Sequence, residues 1–358
     1  MVHDYDVLVL CGMFFKSDAT TLMVTAGPDA PIHAITLTGF AFVSAELWCA
    51  NNADVLVCAT PHGARLPRLG ASVNDKGDRR LFRWRPADTT EWQEIYRGYA
   101  GDVTCLAPDV YAVHQGAGLT FLHTSGAVIR EHKVGRFSWG APSLSTSPSG
   151  SLVALVRWQG DNQKLHVDNV DGSVSRTFHP SIFRYAWIDN RSILYIYGRE
   201  LRVLDIESGR FRRFGKGVRE LMASALGLPK SADVATNVGE LSVVADRVWF
   251  SGTLTDLRSK EWVAGIFSAD LHGHAARSEL LASGNAGPEG LYELVEDFAV
   301  TDDLSIVASF GGYEKGRQCS QQVRTHGALA QFLSEGWWPL RTRHEPDFGH
   351  RTLQFLVK

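Results

Sequence analysis

A tight turn set between two short apolar runs recurs along this chain. In "SLSTSPSGSLVALVRW" the segment Ser147-Pro148-Ser149-Gly150 separates two strand-like stretches. Comparable breaks stand at Asn51-Asn52, Pro108-Asp109, Asp189-Asn190, Asp246-Arg247 and Asp302-Asp303. A second break follows each of them further along, and it is usually X-Gly: Ser125-Gly126, Asp171-Gly172, Ser208-Gly209, His272-Gly273 and His326-Gly327. Glycine supplies the positive φ that a tight hairpin requires. Between the breaks lie runs rich in Val, Leu, Ile, Phe, Tyr and Trp, the residue types that favour strands. Each unit therefore reads strand, turn, strand, loop, strand, turn, strand.

A unit of four antiparallel strands has two faces and cannot bury both by itself. Repetition around an axis solves this, which predicts an all-β, seven-bladed β-propeller with four-stranded antiparallel blades. The expected blades are 43–97, 102–134, 143–179, 185–214, 240–282 and 297–334. A seventh combines 351–358 with 5–39, because the N-terminal segment supplies three strands and the C-terminal segment one. The C-terminal strand thereby closes the ring and removes an exposed edge. Val218, Leu221, Met222, Ala225 and Leu226 fall at helical spacing, so a helical insertion is expected over about 218–228. It is read as a lid packed on the propeller, against the alternative that its apolar face docks a partner. Residues 335–350 form a long crossing. The whole chain is then one domain, and hydrophobic residues at 44% suffice for its core.

The turn "SPSGSLVAL" resembles the SP-D-G-type turn of the WD-repeat, YVTN-type and TolB-like propellers. The repeat pattern covers nearly all of the chain. No Trp-Asp pair ends a blade and no Gly-His opens one, so the resemblance implies architecture and not an activity.

Composition removes several classes. A net charge of −3 argues against a nucleic-acid partner. No apolar run reaches the length of about 20 residues that a membrane span needs, and "MVHDYDVLVLCGMFF" reads as a strand, not a signal peptide. The cysteines Cys11, Cys49, Cys58, Cys105 and Cys319 are odd in number and irregular in spacing, which predicts free thiols in a reducing cytoplasm. The Ala-, Gly- and Arg-rich composition suggests a bacterial source.

No nucleophile elbow, Walker loop or dinucleotide fingerprint occurs. The function expected is a non-catalytic protein-interaction scaffold without a cofactor, within a bacterial multi-subunit assembly. Long connections cluster on one expected face: Thr60 to Arg80, Ser251 to Glu261, Phe310 to Gln318, and the crossings after residues 214 and 334. On that face Trp337, Trp338, Arg341, Arg343, Arg65, Arg68, Tyr313 and Arg317 are the candidate partner-binding residues, since Trp, Tyr and Arg supply most binding hot spots. The alternative is an enzyme or small-ligand site at the channel mouth. There Glu46, Asp102, Glu240 and Asp297 begin inner strands and would gather Ca²⁺ or Mg²⁺. The histidine pair His272 and His274 falls on a hairpin turn, and His344 stands near Glu345 and Asp347. Neither spacing defines a site.

Overall fold

The computed structural model describes residues 8–12, 19–24, 33–49, 54–61, 80–84, 92–97, 102–106, 109–115, 118–133, 143–159, 162–178, 182, 184–229, 232–285, 292–300, 304–314, 317–326 and 353–357. Five four-stranded antiparallel sheets follow one another along the chain. The first holds β4 (Phe40–Cys49), β5 (Asp54–Pro61), β6 (Arg80–Trp84) and β7 (Gln93–Arg97). Next come β8 (Asp102–Leu106), β9 (Val110–Gln115), β10 (Gly118–His123) and β11 (Val128–Lys133). The third contains β12 (Ser143–Thr146), β13 (Val153–Gln159), β14 (Asn162–Asp168) and β15 (Ser175–Phe178). The fourth has β16 (Tyr185–Trp187), β17 (Ser192–Tyr197), β18 (Glu200–Asp205) and β19 (Phe211–Arg213). After helix α1 (Val218–Ala225) the fifth is formed by β20 (Val234–Val244), β21 (Arg247–Asp256), β22 (Glu261–Asp270) and β23 (Arg277–Asn285). A three-stranded sheet of β24 (Tyr292–Val300), β25 (Ile306–Glu314) and β26 (Arg317–His326) comes last.

The chain ends meet. β1 (Leu8–Gly12) pairs antiparallel with β27 (Leu353–Val357), Leu10 opposite Phe355, and β2 (Ala19–Val24) pairs with β3 (His33–Thr38). Among the first strands of the sheets, β4 lies beside β8, β8 beside β12, β16 beside β20 and β20 beside β24. β27 lies beside both β24 and β4.

Side-chain alternation explains why the sheets stack in sequence order. Successive residues of a strand point to opposite faces. On β17, Ile193 and Tyr195 join a core with Ala154, Val156, Leu165 and Val167 of the preceding sheet. Leu194 and Ile196 join the core on the other face, with Phe250, Leu254 and Phe267 of the following sheet. A middle strand is therefore apolar on both faces, which accounts for runs such as "ILYIY". The outermost strands β11, β15 and β19 are mainly exposed, and they carry the polar sequences "VIREHK", "SRTF" and "FRR".

The hairpin glycines Gly126, Gly172, Gly209 and Gly273 all have positive φ, as the recurring X-Gly breaks predict. The β20–β21 turn is Ala245-Asp246, one residue earlier than expected, with both residues at positive φ. Two expected loops are largely strand. β21 continues to Asp256 and β22 starts at Glu261, while β25 continues to Glu314 and β26 starts at Arg317. Alternating apolar residues, including Phe250, Leu254, Trp262 and Ala264, extend the ladder through the segment expected to loop out. The corresponding hairpins β9–β10, β13–β14 and β17–β18 are equally short. Long connections between second and third strands thus reduce to 62–79, which lies outside the described residues.

Cys58 is buried and outside any disulfide, whereas Cys105 is disulfide-bonded. That corrects the expectation of free thiols throughout, and with it the basis for a reducing compartment, since disulfides persist in oxidising ones. Among the described residues, no helix is long and apolar enough to cross a membrane.

Candidate functional site

Six of the residues expected to bind a partner, Trp337, Trp338, Arg341, Arg343, Arg65 and Arg68, lie outside the described residues. Tyr313, near the end of β25, stacks its ring on Tyr292 with centroids 5.4 Å apart and planes at 9°. Arg317 opens β26, so it stands at the same hairpin tip. Of the expected metal ligands only Asp102 opens its strand, β8; Glu46, Glu240 and Asp297 lie within β4, β20 and β24 and do not begin them. For Glu46 and Asp102 the backbone alone is described. Glu240 Oε1 lies 3.0 Å from Arg184 Nε, so a guanidinium supplies there the countercharge assigned to a cation. Asp297 Oδ1 accepts a hydrogen bond from the Phe298 amide at 2.9 Å.

Helix α1 packs as a lid. Val218, Leu221 and Met222 are buried in the core shared with β17, β18, β21 and β22. Its apolar face is therefore satisfied within the chain and is not free to dock a partner. Gly217 precedes the helix, and its amide donates to Glu220 Oε2 at 3.2 Å. The helix borders a groove of about 350 Å³ lined by Lys216, Arg219, Glu220, Leu228 and Pro229 among others.

Among the described residues, one group of three His, Cys, Asp or Glu side chains brings its ligand atoms together, and it sits at a seam between sheets. Asp168 ends β14 and is fully buried. Its counterparts Asp205 and Asp270 end the third strands β18 and β22, and Asp256 ends the second strand β21; each turns its carboxylate onto the amides of the hairpin that follows. Asp168 also accepts from the next amide, Asn169, at 2.9 Å. Beyond that it turns to the preceding sheet. Arg130 on β11 donates to Asp168 Oδ1 at 2.6 Å and to the Asn169 carbonyl at 2.7 Å. His132 Nδ1 lies 2.5 Å from Asp168 Oδ2. His166, two residues before Asp168 on the same face of β14, brings Nε2 to 3.6 Å from the same oxygen. Its Nδ1 meets the Thr177 hydroxyl at 2.9 Å. Burial works against ionisation of Asp168, but the polar contacts with His166, His132 and Arg130 outweigh it and hold the carboxyl below its ordinary range.

The sequence carries a signal for this seam. Arginine follows the hairpin glycine by four residues at Arg130, Arg176, Arg213 and Arg277. Arg176 repeats the action of Arg130 one sheet later and donates to the carbonyls of Ile206 and Glu207 in the next hairpin. What spacing could not reveal is that His132 and His166, on different sheets, face one carboxylate.

Consecutive four-stranded antiparallel sheets, stacked through both faces and joined first strand to first strand, decide the architecture. The fold is a β-propeller. No family model matches the chain, and no curated protein matches it. Solved structures do. An acylaminoacyl peptidase of Pyrococcus horikoshii is similar at 10% identity and a TM-score of 0.52, over 89% of this chain and 48% of that one. A protein from Lactobacillus plantarum is similar at 9% identity and a TM-score of 0.50, over 90% of this chain and 99% of that one. The β-propeller domain of the trilobed protease of Pyrococcus furiosus gives 9% identity and a TM-score of 0.48, over 89% and 97%. At such identities the likeness concerns the fold alone.

Proposed function

We propose that the propeller is a non-catalytic protein-interaction scaffold with seven blades, closed by its chain ends, that presents its crossing-rich face to a protein partner. The blade count adds the five four-stranded sheets, the β24–β26 sheet, and one blade shared by β27, β1, β2 and β3. Closure is supported by the pairing of β27 with β1 and by the place of β27 beside both β24 and β4.

The observation that carries the functional reading is the inequality of the two faces. The turns β10–β11, β14–β15, β18–β19 and β22–β23 are short and held by their own hydrogen bonds. The connections between sheets include the long 214–233, and 26 residues separate β26 from β27. Binding residues concentrate on connections that a rigid scaffold positions. In sequence Trp337, Trp338, Arg341 and Arg343 fall together between β26 and β27, outside the described residues, and Tyr313 and Arg317 flank a hairpin tip.

The test is affinity capture of the tagged full chain, with bound proteins identified by mass spectrometry. Trp338→Ala and the double change Arg341→Ser with Arg343→Ser are compared with Ser125→Ala and Asp171→Asn on the hairpin face. A stoichiometric partner lost from the first set and kept by the second is expected, since truncating a Trp hot spot costs about 2 kcal/mol or more. Loss from the second set with retention by the first assigns the working face to the other side.

A further inference from the structure

The geometry points to a transition-metal site of the zinc class at the seam between the β8–β11 and β12–β15 sheets, with His132, His166 and Asp168 as ligands. Asp168 ends β14 at the β14–β15 hairpin, and the site does not rest on the proposed partner face. One ligand atom from each residue, a ring nitrogen or a carboxylate oxygen, falls within 4.8 Å of the others. Tetrahedral zinc holds nitrogen and oxygen at about 2.0–2.2 Å, which sets neighbouring ligand atoms about 3.3 Å apart. The two distances to Asp168 Oδ2, 2.5 Å from His132 and 3.6 Å from His166, bracket that spacing.

Three features distinguish this group from an ordinary ion pair. First, His166 is 3% exposed, yet its Nε2 has no hydrogen-bond partner among the described residues and faces the shared oxygen. A buried ring nitrogen is normally satisfied. A metal held between Nε2 and Oδ2 satisfies it. Second, the outer atoms are already held. His166 Nδ1 meets Thr177 Oγ1, and Asp168 Oδ1 accepts from Arg130 and from the Asn169 amide. Such second contacts fix ring tautomer and carboxylate orientation in metal sites. Third, the His132 side chain is 28% exposed, which leaves access from solvent and a fourth position for water. Two imidazoles with one carboxylate favour zinc, cobalt, nickel or copper over calcium or magnesium.

Arg130 opposes the metal by its charge while orienting the carboxylate. It contacts Oδ1 and leaves Oδ2 to the histidines. The bound ion takes the place of the proton shared by His132 Nδ1 and Asp168 Oδ2. It thereby ties the outermost strand of one blade to the third strand of the next.

The full chain, stripped with chelator, is titrated with Co²⁺ and followed by visible absorption, then with Zn²⁺. The expected result is one Co²⁺ per chain with the intense ligand-field bands of tetrahedral coordination, displaced by Zn²⁺, together with a raised melting temperature in Zn²⁺. His166→Ala and His132→Ala each abolish the bands. His132 is partly exposed, so its variant keeps the test decisive if the buried change disturbs folding. Failure of the folded wild-type chain to bind Co²⁺ stoichiometrically overturns the proposal, and so does binding that survives His132→Ala.

Discussion

Gly126 stands so close to the preceding sheet that a Cβ on it would lie 2.1 Å from the carbonyl oxygen of Ile95. The same position is tight in two other sheets, while at Gly209 a Cβ would meet only Phe178 at 3.7 Å. A Cβ on Gly172 would meet the Arg130 guanidinium at 2.7 Å, and one on Gly273 the Phe214 carbonyl at 2.9 Å. At Gly126 and Gly273 the hairpin glycine thus answers two demands, a left-handed turn and a close backbone seam with the neighbouring blade. Gly126→Ala is expected to destabilise by clearly more than ~1 kcal/mol, because positive φ and a backbone clash add. Gly198→Ala, with positive φ and open space around it, isolates the first demand. Equal losses in denaturant titrations of the two variants would show that the seam contributes nothing.

Much of the fold could be read from the chain because strand and turn residues are local signals. The X-Gly breaks and the helix at 218–225 needed no knowledge of distant residues. The misread stretches were those where one residue type serves two purposes. In Ser251 to Glu261, Ser, Thr and Gly suggested a loop, but Ser251, Gly252 and Thr253 are buried and paired in β21. The seam cluster escaped notice for another reason. His132 and Asp168 are 36 residues apart and meet only because one blade packs on the next.

Leu221 is fully buried beneath the crossing between the β16–β19 and β20–β23 sheets. Leu221→Ala is expected to cost about 2–5 kcal/mol, the range for removing a core leucine. Ser224→Ala, on the exposed side of the same helix, is expected to stay within about 0.5 kcal/mol. Calorimetry separates the two. A near-neutral Leu221→Ala would mean that α1 is not a packed lid.

Asp205, Asp256 and Asp270 carry a pH signature. Backbone hydrogen bonds from Ser208, from Ser259 and from His274, respectively, lead the causes that hold these carboxyls below their ordinary range. A depressed folded-state pKa contributes stability above the unfolded value of about 3.9, and that contribution disappears as pH falls through the folded value. The melting temperature is therefore expected to fall on acidification below about pH 4. The triple change of these three residues to Asn keeps an acceptor for each turn without a titrating group, and should flatten that fall. An unchanged acid limb in the triple variant would place the titration elsewhere.

Closure of the ring tests the account most directly. β27 pairs with β1 along five residues and lies between β24 and β4. Deleting residues 351–358 exposes the unpaired edge of β1 and leaves the first and last blades without the strand between them. Urea unfolding of the truncated chain is predicted to lose its single steep transition and to begin at much lower denaturant than the full chain. A truncated chain with the same midpoint and the same steepness would contradict a propeller closed by its own ends.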